Sequence, residues 1–411
     1  MNCHEFLIYS ANEPMKILRK KYNQGEDVYK AVPRYVSQAE ALVDISYVRY
    51  VMEQAYSGYT YFEKSQFDNA FVTMEDVVKR RSAPVPVNDL IDLIADHLSF
   101  ICDGHLAFTT KDYGKGFYRK TQTYVADLLI EEIDGRYVDA VSGETVLFGE
   151  GIRLFPTVSA SRYSAFLVGV RSKEAITEIE LTIGKERRTV PVHKIKSKAP
   201  AGESLIQENY DGDIAYITCS TFVGDAEDDL RKCYEIGEKC RGYRHVIWDL
   251  SNNLGGNSEF PKQFLTGLNG GCADMGKVLD LQSTLVYAKE HGEVREVPYC
   301  LKSDPAVKAT GGGLFTGTLH VIINDGVASS GESAIVMAAA MENAVFYGCN
   351  FLGIGKFGDL CIYYLPNSKV TLWCPQKVFD HSIEESAGYE PDIWIDSSDV
   401  ISCVTKHIKV N

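Results

Sequence analysis

The spacing of hydrophobic residues divides the chain into three regions. After Ser37-Gln-Ala-Glu40, which has the form of a capping box, Leu42, Ile45, Val48 and Met52 recur at helical spacing. A second helical run goes from Asn88 through Leu90, Ile91, Ile94 and Leu98. The first hundred residues are therefore expected to be helical, with residues 1–118 forming an N-terminal region that ends in Asp103-Gly104-His105. Alternation of Leu106 and Phe108 after that tripeptide puts His105 at a helix-to-strand turn.

Residues 119–198 change to short strands with turn signals, including Asp134-Gly135 and Gly184-Lys185, and are expected to form a small, mostly β module. Its basic end, Lys185 to Lys198, reads as a solvated face more readily than as a docking surface. A linker is expected over Lys198 to Glu203. From 204 to 411 the period alternates: strand Ile214–Thr218, helix Asp225–Cys240, strand His245–Leu250, strand Leu319–Asn324, helix Ser330–Asn343 and strand Ala344–Tyr347. Such alternation predicts an α/β layer domain with a largely buried sheet.

Composition narrows the partners. The chain has 411 residues, 45% hydrophobic and 24% charged, enough for two or three folded units without metal or disulfide support. A net charge of -14 opposes condensation on nucleic acid or anionic lipid, so neither is expected as a partner. The longest wholly apolar run, Ala334 to Met341, is far short of the roughly 18 residues a membrane span needs. The 11 cysteines show no CxxC pair or Cys/His cluster at zinc-ligand spacing, and the N-terminus does not read as a secretory signal. Reduced thiols in a cytoplasmic protein, with no metal and no organic cofactor, are the expectation.

Two segments offer chemistry. In Leu319-His-Val-Ile-Ile-Asn-Asp-Gly-Val-Ala-Ser329-Ser330-Gly331-Glu332, a buried strand passes through a tight turn into an apolar helix, which puts a serine at a helix N-terminus. Unbonded N–H groups and the helix dipole there suit a nucleophile whose attack creates an oxyanion. Ser329-x-x-Glu332 also has the form of a capping box, a purely structural alternative. In Trp248-Asp-Leu-Ser-Asn-Asn-Leu-Gly255-Gly256-Asn257, paired glycines let the backbone approach a ligand. This turn and Gly311-Gly-Gly313 both lack the Lys-Ser/Thr of a phosphate loop.

The order of DGH, DLSNNLGG, NDGVASSGE and Glu385-Ser-Ala-Gly-Tyr-Glu-Pro-Asp392 resembles the tricorn-core and C-terminal-processing (tail-specific) serine peptidases. The resemblance covers about residues 205 to 395 plus residues 103 to 105. It implies a crotonase-like or ClpP-like α/β catalytic domain and a serine peptidase that cleaves peptide or protein substrates through an acyl-enzyme. Ser329 would be the nucleophile and His105 the general base. Glu385 would orient His105 directly or through a bridging group, and the N–H groups of Ser330 and of Gly255 or Gly256 would stabilise the oxyanion. With a carboxylate partner raising it, the His105 pKa is expected at about 6 to 7.5.

Three positions depart from the family pattern. Ile354 stands where tail-specific members carry a lysine base, leaving Lys356, two residues on, as an alternative base. Gly104 stands where tricorn has a relay serine, and Ser251 where the family has an arginine. The β module lies where some relatives carry a PDZ domain, but no GLGF-type carboxylate loop is present. Two other functions stay open: a catalytically weak or inactive protein on the same fold that binds a small hydrophobic ligand or a peptide, and an acyl-CoA enzyme, for which no adenine-phosphate motif is visible. Substrate sequence and oligomeric state are not legible.

Overall fold

Ser37 does cap a helix: its Oγ accepts the Glu40 N–H and the Glu40 carboxylate accepts the Ser37 N–H, so helix Gln38–Gln54 begins with its first donors satisfied. The computed structural model describes residues 27–159, 163–198, 204–224, 226–272, 313–380 and 385–410, with residue 202 and the strands His4–Ser10, Glu13–Lys21, Lys277–Asp280 and Lys302–Ser303. It divides into two compact units: Met1–Arg119 with Met275–Ala306 and Ile354–Ser386, and Lys120–Asp274 with Val307–Gly353 and Ala387–Asn411.

In the first unit, helices Gln38–Gln54, Lys64–Lys79 and Val87–His97 bury Ile45, Val48, Met52, Phe67, Met74, Leu90 and Ile94 in one core with Leu106, Phe108 and Leu372. Leu106 and Phe108 come from strand Asp103–Thr109 and Leu372 from strand Thr371–Asp380, which pair antiparallel. The first hundred residues, expected to be helical, include strands as well. His4–Ser10 and Glu13–Lys21 form an antiparallel hairpin that continues onto Phe357–Tyr364. Phe6 and Ile8, and Met15 and Ile17, recur at the strand period of two.

The second unit holds a sheet of thirteen strands among the described residues. Ile214–Thr218, His245–Asp249, Thr318–Ile323, Ala344–Gly348 and Ile393–Trp394 run parallel in that order. Helices Ala226–Cys240, Glu259–Asn269, Ser330–Ala339 and Val400–Val410 belong to the same unit. Phe346, Val321, Ile247 and Trp248 are buried, as a parallel sheet in a layered α/β fold requires. Each predicted element of this stretch forms within a few residues, although the helix from Ser330 stops at Ala339. Residue 225, the predicted start of the preceding helix, most of the linker and residues 311–312 lie outside the described residues.

The β module joins the same sheet, because Arg153–Thr157 pairs parallel with Ile393–Trp394 at Thr157 and Trp394. The turns read from Asp134-Gly135 and Gly184 both form at positive φ, 50° and 72° for the first pair and 63° for Gly184. Cys219, Cys233, Cys240, Cys349 and Cys403 are free thiols. No described helix is long and apolar enough to cross a membrane.

Candidate active site

The predicted site residues fall in both units: His105, Lys356 and Glu385 in the first, and Gly255, Gly256, Ser329 and Ser330 in the second. In the second unit, strand Thr318–Ile323 ends at Asn324, whose Oδ1 accepts the N–H groups of Asn252 at 2.9 Å and Gly326 at 3.1 Å. The chain then reaches Ser329 at φ 52° and ψ −121°, an uncommon conformation for a residue with a Cβ, directly before helix Ser330–Ala339.

The capping-box alternative is not realised. Ser329 makes no capping hydrogen bond through its side chain, and Glu332 Oε1 instead accepts the Gly353 N–H at 2.9 Å. The half-buried Ser329 hydroxyl is therefore held at the helix start without a structural bond to the helix it precedes.

The glycine turn packs against this serine. A Cβ on Gly255 would fall 2.7 Å from the Ser330 nitrogen and 2.9 Å from Ser329 Cβ, so only glycine leaves room in front of the Ser330 N–H. Gly255 and Gly256 sit at φ 96° and 136°. The Gly255 N–H donates to Asn253 Oδ1 at 2.9 Å, which leaves Gly256, of the two, as the available donor. Buried Asn253 was not singled out in the sequence. It also donates from Nδ2 to the Cys219 carbonyl, and its own carbonyl accepts the Ala328 N–H, each at 2.9 Å. Its signal was the polar pair Asn252-Asn253 before two glycines.

Lys198 was read as part of a solvated face. Its ammonium pairs with the buried carboxylate of Asp249, and its carbonyl accepts Nδ2 of Asn252 at 3.2 Å and of Asn324 at 3.3 Å. Nearby, Lys194 and Lys120 pair with Asp325 at 2.6 and 3.2 Å, and Ser197 Oγ donates to it at 3.0 Å. The basic end of the β module thus docks onto both loops of the candidate site.

In the first unit, His105 is the third residue of strand Asp103–Thr109 rather than part of a turn. It lies in a stretch where the register with Gly114–Phe117 is interrupted. Asp103, wholly buried, shapes that stretch: Oδ1 accepts the N–H groups of His105 at 2.8 Å and Leu106 at 3.2 Å, and Oδ2 accepts the Tyr56 hydroxyl at 2.9 Å. Burial raises the Asp103 carboxyl to about 7 against these bonds.

Glu385 accepts the Gly104 N–H at 2.7 Å and the Lys356 N–H at 3.2 Å, so it holds the backbone beside His105. His105 Nδ1 is buried and has no hydrogen-bond partner among the described residues. Burial lowers the His105 pKa to about 4, opposed by a hydrogen bond with the Ile354 backbone. The expected upward shift by a carboxylate is thereby reversed, because desolvation disfavours the imidazolium. Lys356 Nζ lies over the Tyr61 ring, 5.7 Å from its centroid.

The family model described as Peptidase family S41 matches residues 213–393. Among solved structures, mature CPAF is similar at 13% identity over 90% of this chain and 95% of that one, with a TM-score of 0.48. The photosystem II D1 C-terminal processing protease is similar at 13% identity over 87% and 93%, with a TM-score of 0.43. Tricorn protease is similar at 14% identity over 91% of this chain and 36% of that one, with a TM-score of 0.40. No curated protein matches the chain.

Proposed function

We propose that the chain, whose residues 213–393 match the model of peptidase family S41, is a serine peptidase that hydrolyses peptide bonds through an acyl-enzyme on Ser329. The observation that carries the reading is Ser329 itself: a serine at φ 52°, bonded to no cap, with Gly255 packed against the next N–H. Strain at a strand-to-helix nucleophile is a recurrent way to expose a reactive hydroxyl.

In this mechanism Ser329 Oγ attacks the scissile carbonyl while His105 takes its proton and later returns it to the leaving amine. The N–H groups of Ser330 and Gly256 receive the oxyanion. Water then attacks the ester with the same base, and neither metal nor organic cofactor is needed. Glu385 fixes His105 through the Gly104 peptide. The five parallel strands with their helices are the part of the chain we assign to a crotonase-like or ClpP-like catalytic domain.

A second reading keeps the fold and loses turnover, leaving a protein that binds a peptide or a small hydrophobic ligand. The unbonded Nδ1 of His105 favours it, since no carboxylate bonds that nitrogen to stabilise the imidazolium that forms as the base takes its proton. A serine-directed fluorophosphonate separates the two. The peptidase reading expects a stoichiometric adduct on Ser329 found by peptide mass spectrometry; no adduct, or one confined to Ser220 or Ser333, removes it.

A further inference from the structure

Ser330 carries a second group besides its N–H. Its Oγ, on a residue only 7% exposed, donates to the Gly256 carbonyl at 2.7 Å, and Ser258 Oγ lies 3.0 Å from it. The glycine turn is held on its other side by the main chain of Phe222: the Phe222 N–H donates to the Gly255 carbonyl, and the Asn257 N–H to the Phe222 carbonyl, both at 2.9 Å. Those bonds fix the turn to the neighbouring segment. The Ser330 hydroxyl fixes it to the helix that starts at the nucleophile, and the Asn253 carbonyl with the Ala328 N–H ties the loop to the chain just before it.

Two adjacent glycines at positive φ have little stiffness of their own, so the direction of the Gly256 N–H depends on what grips its flanking carbonyls. We propose that the Ser330 hydroxyl is a positioning group that keeps the Gly255-Gly256 turn in register with the helix start, so that the Ser330 and Gly256 N–H groups converge on one oxyanion. The proposal rests on the peptidase reading above. Ser330 thereby has two roles: its main chain supplies one donor and its side chain aims the other. Such alignment matters because oxyanion donors act over about 2.7–3.1 Å, and a misplacement near 1 Å can cost about a hundredfold in rate.

The test compares wild type with Ser330→Ala and Ser330→Thr in the full chain. One readout is amide hydrogen exchange across residues 254–258, which does not need activity; the other is turnover of a peptide substrate with the rate of fluorophosphonate labelling. Ser330→Ala is expected to speed exchange at Gly255 and Asn257 about tenfold and to lower kcat and the labelling rate about 10- to 100-fold, with KM within about twofold. Ser330→Thr, which keeps the hydroxyl, is expected to recover most of both. Unchanged exchange in Ser330→Ala overturns the pinning. Faster exchange with undiminished labelling overturns the link to the oxyanion. Wild-type protein that neither labels nor turns over defeats the peptidase reading, and the catalytic half of the proposal with it, while the exchange result still decides the pinning.

Discussion

Ile354 packs directly over the α-carbon of Gly104: a Cβ built on Gly104 would fall 2.1 Å from Ile354 Cγ2 and 2.5 Å from its Cβ. Two of the three departures from the family pattern therefore touch. Ile354 fills the space that a side chain at position 104 would need. The same Cβ would lie 3.4 Å from Glu385 Oε1, so the space lies beside the carboxylate that holds the Gly104 N–H.

Gly104→Ala is accordingly expected to cost about 1–3 kcal/mol through overpacking against Ile354. In Gly104→Ala/Ile354→Gly, which removes both Cγ2 and Cβ of residue 354, the clash is gone, so the double variant should be more stable than the two single losses summed, with a coupling of at least about 0.5 kcal/mol. Urea denaturation of the four proteins measures it, and additive losses would show that the two side chains do not compete for space.

Ser329→Gly should abolish turnover while leaving the fold as stable or more stable by about 1 kcal/mol, because glycine accepts φ 52° without strain. Had Ser329 been a helix cap, loss of its hydroxyl would cost about 1 kcal/mol. Thermal melting of Ser329→Ala and Ser329→Gly beside wild type reads the difference.

The base must be neutral to accept a proton. With the His105 pKa lowered to about 4 by burial, the acid limb of kcat/KM should lie well below the ordinary histidine value of about 6.5. His105→Ala should be inactive and Lys356→Ala should keep appreciable turnover, with Glu385→Gln impaired. A pH profile whose acid limb falls near 7 would mean that a charged partner engages Nδ1 in the working enzyme.

Asp103 gives a separate pH signature in stability. Its folded pKa, about 7, lies above the unfolded value near 3.9, so the folded state binds the extra proton between them. The contribution of Asp103 is full below about pH 4 and is lost as the pH rises to about 7. His105 acts oppositely: its depressed pKa favours the fold above about 6.5, an advantage lost as the pH falls toward 4. The melting temperature of Asp103→Asn, minus that of wild type at each pH, should therefore grow more positive from pH 4 to 7. A flat difference would place the carboxyl's titration outside this window.

What the sequence made legible was what neighbours in the chain determine. The elements from Ile214 to Gly348 each carry their own period, and Ser37, Asp134 and Gly184 their own cap or turn chemistry, so these form where expected. The pairing of Glu13–Lys21 with Phe357–Tyr364 and of Asp103–Thr109 with Thr371–Asp380 joins partners hundreds of residues apart, which no local period announces. In the candidate site, the serine and the glycines stood out because their backbone geometry is special. The contact of Gly104 with Ile354, the bond of Ser330 to Gly256 and the depressed His105 pKa each arise from packing between distant segments, and a sequence window contains only one side of each.

The pairing of Lys198 with Asp249 limits how this protein can be cut or transplanted. The family-matched segment begins at residue 213, so a fragment taken on that boundary would omit the lysine and leave a carboxylate only 1% exposed without its cation. Stranding a buried charge in this way costs about 3–5 kcal/mol, a large share of the stability of an ordinary domain. It would fall on the loop that carries the glycine turn, where Ser251 provides no arginine to substitute. The boundary of the family-matched segment and the smallest piece of this chain able to fold are therefore different, and a foreign module grafted between residues 119 and 198 would need to end in a cation at the place of Lys198.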